Sequence, residues 1–433
     1  MEVGTVAGTA GSGTGSLEER LVRRLFRYLA VPSQSDARAR TVPSTEGQWA
    51  MARLLKGELE ALGLAEVHLD ERAVLTARLP GNAAGAAAEM PAIGFCAHVD
   101  TVDVGLSPEI RPRVARFEGR DLCLNEAKGI WLRVAEHPEI QPYLGQEVVV
   151  TDGTSVLGAD NKAAVAILME LVRELTRDEP DAAPRGDVFL AFVPDEEIGL
   201  KGAKAMDLAR FPVAFAYTID GCALGELTFE CFNAATATID IEGVPAHPVS
   251  AKGVLVNPAL VAADLVRRFD PLDTPEHTEG REGYCWVTGL QAGPSTARLT
   301  VNIRDFDDAG FGRRKRLVEE HVAAVRAAWP RATLRVSIED SYGNIASAMG
   351  NDRRSVAVLE RAFAAAGVEP RVVAMRGGTD GSALSARGVP TPNFFTGGLN
   401  FHSPFEFLPV PSFAKAYAVA RAVVHGARDR TGR

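Results

Sequence analysis

Three short apolar runs constrain the fold most: Ile93-Gly94-Phe95-Cys96-Ala97, Val188 to Val193, and Phe215 to Ile219. Each is free of charged residues and too short for a buried helix. Each therefore reads as a strand covered on both faces, the pattern of a parallel sheet. Helical periodicity lies around them. One helix is predicted from Ser16-Leu17-Glu18-Glu19 into LVRRLFRYL, and another from Thr45 to Leu62. A third, Lys162 to Leu175, carries Val165, Leu168, Met169, Val172 and Leu175 on one face. Strands alternating with helices predict an α/β fold with a mainly parallel central sheet.

A chain of 433 residues is too long for one core, and the pattern changes near residue 227. Residues 227–242, LTFECFNAATATIDIE, alternate as a strand with one exposed face does. Asn257-Pro258 pairs an N-cap with a proline at the first helical position, opening a helix to Phe269. A strand at 297–305, a helix at 312–328 and a strand at 333–339 follow. These elements predict a smaller α+β domain over 227–339, inserted into a catalytic domain made of 17–226 and 340–433. Residues 1–16, rich in Gly, Ser, Thr and Ala, read as a flexible tail.

Composition removes several classes of function. The net charge is −9, from 47 basic and 56 acidic residues, which argues against nucleic acid as a partner. No apolar stretch reaches the roughly 18 residues that a membrane span needs. The N-terminus has neither the basic nor the apolar region of a signal peptide. Cys96, Cys123, Cys222, Cys231 and Cys285 are odd in number and scattered, so neither a disulfide framework nor a thiolate zinc site fits. Reduced thiols and a cytoplasmic location are expected.

The chemistry gathers where the apolar runs stop. His98 follows the first run, and Asp100, two residues on, lies on the same side of an extended chain. Asp100 can accept the imidazole N–H and fix the tautomer that donates to a metal. Pro194-Asp195-Glu196-Glu197 follows the second run and Asp220 the third. Asp160, in Gly158-Ala159-Asp160-Asn161-Lys162, precedes a helix whose positive end keeps a carboxylate ionised. Its two oxygens can bridge two cations, although an N-cap role for Asp160 or Asn161 suits the local sequence as well. Gly153 and Gly158 have P-loop spacing, but Ala159-Asp160 stands where Lys and Ser/Thr are needed, which excludes a Walker motif. His402 lies in a loop, Gly397-Gly398-Leu399-Asn400-Phe401-His402.

Open α/β sheets collect ligands at the carboxyl ends of their strands. Two histidines and three carboxylates there suit zinc or a similar divalent ion. The three charges of Asp160, Glu197 and Asp220 balance two divalent ions better than one. Such a pair acidifies a shared water and polarises a carbonyl. Glu196, beside a ligand without being one, is the natural general base.

The stretches IGFCAHVDT (93–101), TDGTSVLGADNKA (151–163), AFVPDEEIG (191–199), AHPVSAKGVLVN (246–257), NIRDFD (302–307), RGGTDG (376–381) and NFFTGGLNFHSPFEF (393–407) come in an order that resembles the peptidase T group of the dinuclear-zinc aminopeptidase/deacylase family. The resemblance spans most of residues 17–430. It implies a zinc-peptidase catalytic domain with an inserted lid, and release of the N-terminal residue from tripeptides, a small-peptide substrate. It implies that His98, Asp160 and Asp220 hold one Zn²⁺, and that Asp160, Glu197 and His402 hold a second, with Co²⁺ or Mn²⁺ as substitutes. Asp100 then orients His98, and Glu196 is the catalytic acid/base. By the same resemblance His247 reaches the site from the lid, and Arg304 and Arg376 contact the substrate carboxylate or oxyanion. Asn257 is a further substrate contact on this basis, and equally an N-cap. A lid of this kind leaves room for a homodimer. The same metals would serve a carboxypeptidase, dipeptidase or N-deacylase, where only the anchoring groups differ. A catalytically silent binding protein should have lost a ligand or the base, and none is missing. Two departures stand out: Asn161 where the group usually has Asp, and Ser403-Pro404-Phe405 where it usually carries small and basic residues.

Overall fold

A computed structural model describes residues 15–82, 90–177 and 183–426. Of the tail expected over 1–16, residues 1–14 lie outside the described residues, while Ser16 caps the Leu17–Leu29 helix in a capping box with Glu19.

An eight-stranded sheet carries the molecule. Its order is Ala65–Leu69, Leu75–Leu79, Val188–Val193, Ile93–His98, Phe215–Gly221, Asn393–Phe395, Glu226–Cys231 and Arg371–Met375. The central pairs are parallel, and the edge towards Ala65–Leu69 is antiparallel. The apolar runs sit in the middle of this order. Their continuity has a simple cause, because successive side chains point to opposite faces and both faces are covered. Ile93, Phe95, Val188, Leu190 and Phe192 face the main helical layer. Cys96, Phe189, Ala191 and Val193 face a second layer containing Ala203, Phe211 and Leu384.

The Ala159–Leu175 helix lies at the centre of the main layer, in contact with the Leu17–Leu29 and Val410–Gly426 helices and with the sheet. Its residues Asp160 and Asn161 are not helical, so the regular helix begins at Lys162, as the periodicity predicts. Leu168 is fully buried there. Leu168→Ala is expected to lower stability by about 2–5 kcal/mol, the usual effect of truncating a core leucine, as measured by urea unfolding.

A second sheet is wholly antiparallel, in the order Tyr284–Ala292, Thr296–Asp305, Asn233–Glu242 and Thr333–Tyr342. The Pro258–Val266 and Asp308–Ala328 helices cover one face of it, around Ile239, Leu299, Val301, Val261 and Val322. The segment expected as one strand over 227–242 is two. Glu226–Cys231 pairs in the large sheet, and Asn233–Glu242 opens the small one. The layers therefore change at Phe232 and again after Tyr342, against the 227 and 339 expected. A third unit was not foreseen. Strands Arg113–Arg116, Glu147–Val150 and Leu408–Pro409 form a small sheet, with a Leu122–Asn125/Ile130–Leu132 hairpin beside it. Phe117, Leu132, Ile140 and Phe407 make its core. No helix among the described residues is long and apolar enough to cross a membrane.

Candidate metal centre

The large sheet delivers its polar residues to one place. His98 ends the Ile93–His98 strand and is buried. Its Nδ1 faces the backbone carbonyl of Asp100 at 3.1 Å and the Asp100 carboxylate at 3.4 Å. Either contact fixes Nδ1 as the protonated nitrogen and leaves Nε2 as a donor to a cation. Nε2 lies 3.0 Å from Asp160 Oδ1 and 3.7 Å from Asp220 Oδ1. The other oxygen of Asp160, Oδ2, is 3.0 Å from His402 Nε2, which is also 3.1 Å from Glu197 Oε1. Asp160 thus stands between two imidazoles, one oxygen to each. Its side chain makes no cap on the following helix.

Local backbone explains how these groups are aimed. Gly158, with φ of +73°, turns the chain ahead of Asp160, and a Cβ there would press to 3.0 Å from Thr101 Cγ2. The Asp160–Asn161 peptide bond is cis. Asn400 and His402 both adopt left-handed backbone, at φ of +58° and +61°, inside a loop closed by the Leu399–Phe407 bridge. Glu406 in that loop accepts the Gly158 N–H at 2.9 Å and the Asp160 N–H at 3.3 Å. One buried carboxylate therefore ties the His402 loop to the Asp160 turn. The Asp100 carboxylate does a second job as well, accepting the N–H groups of Glu196 and Glu197 at 3.0 and 3.2 Å.

Electrostatics test whether these residues suit a cation. Burial pushes the Glu196 carboxyl well above its ordinary range, and the charges of Asp220, Asp380 and Glu197 add to this. Burial and the charge of Asp160 likewise raise Asp220 and Glu197. Burial opposes a charge on His98, yet hydrogen bonds to Asp100, Asp160 and Asp220 outweigh it and hold its pKa well above the usual range. His402 is pushed up to about 10 by hydrogen bonds to Asp160 and Glu197. The ion pairs that Asp160, Asp220 and Glu197 make run to these two histidines. Asp160 goes the other way: burial would raise it, but hydrogen bonds from His402 and His98 outweigh burial and hold it below the usual range. An ionised carboxylate ringed by buried acids that hold on to protons is a site whose charge calls for cations. Among the described residues, three sets of donors each keep their ligand atoms within 4.8 Å of one another: His98, Asp160 and Asp220; Asp160, Glu197 and His402; and His98, Glu196 and Glu197. The first two share Asp160. Imidazole nitrogen and carboxylate oxygen suit zinc and other first-row divalent ions, so the donor set fits a dinuclear centre. The site opens on the His402 side, where that side chain is 44% exposed against 1% for His98.

The residues expected to contact substrate are placed differently. Arg376 directs Nη1 to the carbonyls of Gly280 and Glu282 and Nη2 to Thr278 Oγ1, and lies over Phe232 and Tyr284. It fastens the 278–282 loop of the inserted domain, where the resemblance implied a grip on substrate. Arg304 Nη1 donates to the carbonyls of Ala235 and Ile303, and the guanidinium lies 5.8 Å from the Tyr342 ring. Asn257 is the N-cap, accepting from Ala259 N at 3.0 Å. His247 is exposed and accepts from Val249 N at 3.3 Å; it belongs to none of the donor groups. Two buried acids escaped the sequence reading. Glu406 sits inside the quoted NFFTGGLNFHSPFEF stretch, and Asp380 inside RGGTDG with both carboxylate oxygens buried and without a hydrogen-bond partner. Their position in those stretches was the available signal.

Residues 156–426 match the model of peptidase family M20/M25/M40. The chain is 57% identical over 410 residues to a peptidase T-like protein of Yersinia pestis, covering 95% of this chain and 98% of that one. It is 41% identical over 406 residues to peptidase T of Aeromonas salmonicida, covering 94% and 98%. Among solved structures, the aminopeptidase PepT from Bacillus cereus superposes with a TM-score of 0.72 at 22% identity, covering 95% of this chain and 98% of that one.

Proposed function

This chain belongs to peptidase family M20/M25/M40, and from that premise we propose how it works as a tripeptide aminopeptidase with two zinc ions. It is a hydrolase that releases the N-terminal residue of tripeptides, a reading supported by its identity with peptidase T and peptidase T-like proteins over nearly their whole length. The observation that carries the two-metal part is Asp160, with one oxygen on His98 and the other on His402. His98, Asp160 and Asp220 would hold one ion, and Asp160, Glu197 and His402 the other; Co²⁺ or Mn²⁺ would serve in place of Zn²⁺. When bound, the ions supply Lewis acidity to a water and to the scissile carbonyl. Glu196 Oε accepts the proton of the attacking water and passes it to the leaving amine. Asp100 keeps His98 in one tautomer and holds the backbone of Glu196 and Glu197 in register with it. Arg304 and Arg376, each bonded to backbone carbonyls, are both kept as proposed contacts for the substrate carboxylate or oxyanion. The same reading has a cytoplasmic enzyme, in keeping with five free cysteines. It also has a homodimer through the inserted domain, where Leu255, Leu260 and Leu290 are exposed.

A matched peptide series tests the activity: Ala-Ala, Ala-Ala-Ala, Ala-Ala-Ala-Ala, and the C-amidated and N-acetylated tripeptides, with products identified by mass. The free tripeptide is expected to be cleaved best, with the N-terminal residue released first. Acetylation should block cleavage, and amidation should lower kcat/KM. Release of the C-terminal residue first, or preference for the acetylated peptide, would replace this reading with a carboxypeptidase or deacylase.

A further inference from the structure

Asp195 comes one residue before the acid pair, is fully buried, and adopts left-handed backbone at φ of +57°. Few residues other than glycine tolerate that region, and aspartate and asparagine are among them. Its carboxylate is held by a single distant segment. Oδ2 accepts from Ser44 N at 2.8 Å, and Oδ1 accepts from Ser44 Oγ at 2.5 Å and Gln48 Nε2 at 2.7 Å. In return the Asp195 N–H donates to Gln48 Oε1 at 2.9 Å. Gln48 is fully buried in the first turn of the Glu46–Ala61 helix. Between the two clamp residues, a Cβ on Gly47 would come 1.9 Å from the Pro32 carbonyl oxygen, so only glycine lets the helix start lie this close.

The same segment grips the neighbouring strand end. Ser33 Oγ donates to the Val99 carbonyl at 2.6 Å, and Ser35 N to the Thr101 carbonyl at 3.0 Å. Residues 33–48 thus brace both the chain around Asp100 and the turn that starts at Asp195. Asp100 completes the enclosure by accepting the Glu196 and Glu197 N–H groups. The turn bearing both acids is fixed from two sides, by a carboxylate within it and a carboxylate opposite it.

We propose that Asp195, locked by Ser44 and Gln48, is a positioning residue that aims Glu196 and Glu197 together at the metal centre. This rests on Glu196 as the base and Glu197 as a ligand. Three variants test it. Asp195→Gly removes the carboxylate but keeps the left-handed backbone comfortable, Gln48→Leu removes one partner, and Ser44→Ala removes the hydroxyl. For each, bound metal, kcat, KM and Tm are measured on the tripeptide, with kcat expressed per metal-loaded molecule. Asp195→Gly and Gln48→Leu are expected to lose about 10–100-fold in kcat with KM little changed, as misaimed catalytic groups do, and to bind the metal held by Glu197 more weakly. Ser44→Ala should follow in the same direction by less, and it keeps the question open to test if a larger change fails to fold. A lower Tm with unchanged kcat per loaded molecule and unchanged metal affinity would overturn the proposal, leaving Asp195 a structural residue. If the wild-type protein cleaves no peptide, the functional reading fails instead. Metal titration of the same variants then decides the clamp: weaker binding upholds it, and unchanged binding overturns it.

Discussion

Glu196→Gln is expected to retain both metal ions and to lose at least about 10²–10⁴-fold in kcat, the usual worth of a positioned proton-transfer group. Glutamine matches glutamate in shape and keeps a carbonyl oxygen, but it cannot take a proton. Glu196 is well suited to that task. Its surroundings, burial first and then the charges of Asp220, Asp380 and Glu197, favour the protonated form. A carboxylate so placed accepts a proton more readily than one in water, and an opposing cation limits how tightly it holds it. The backbone N–H of Glu196 is fixed on Asp100, so the substitution leaves the turn in place. Glu197→Gln is the contrast. Glu197 faces His402 at 3.1 Å within a donor group that includes Asp160, so its amide should weaken the metal held there. Metal content by mass spectrometry and kcat at saturating metal separate the two. Glu196 also lies in a donor group with His98 and Glu197. If Glu196→Gln loses metal and regains full turnover when metal is resupplied, that third group is the real one and the base must be sought elsewhere.

Removal of metal is expected to abolish activity, with Zn²⁺, Co²⁺ or Mn²⁺ restoring it. His98→Ala and His402→Ala should each lower the metal stoichiometry, but not alike. His98 is buried, with Asp100, Asp160 and Asp220 around it. Its loss leaves carboxylates facing one another without an imidazole between them, so it should also lower the stability of the metal-free protein. The His402 side chain is 44% exposed and lies within the Leu399–Phe407 loop, so its loss should weaken metal with little effect on folding. Full activity in metal-stripped protein would end the metallopeptidase reading. Equal stability of the two metal-free variants would contradict the burial argument.

Four of the proposed ligands, His98, Asp160, Glu197 and Asp220, were legible because they stand just after an apolar run or just before a helix. His402 lies in a loop and was carried by the resemblance. Val188–Val193 matches its apolar run to the residue, and the acids follow directly. Period and burial say nothing of hydrogen bonds between distant segments. Nothing near Ser44 or Gln48 in the sequence points to Asp195, 147 and more residues away. The same holds for Glu406 and Gly158. The break at Phe232 was hidden for another reason. The strands on either side of it both mix buried and partly buried positions, and no charged residue, Gly or Pro marks where the chain passes from one sheet to another. The unit built on 113–150 was missed because its strands there are three or four residues long, with Arg at both ends of Arg113–Arg116 and Glu opening Glu147–Val150, and because its third strand, Leu408–Pro409, lies far along the chain.

The small antiparallel sheet leaves the large one and returns to it at adjacent points. Ala234 pairs with Tyr342, and the Asn344 N–H donates to Asn233 Oδ1 at 2.8 Å. The two chain crossings form a single neck, so the strands that carry His98, Glu196, Glu197 and Asp220 would close up without the insertion. Selection can therefore lengthen, exchange or discard that module as a cassette, since an insertion whose ends nearly touch leaves its host's architecture intact. New substrate preferences can evolve by trading the cassette while the hydrolytic chemistry is inherited unaltered.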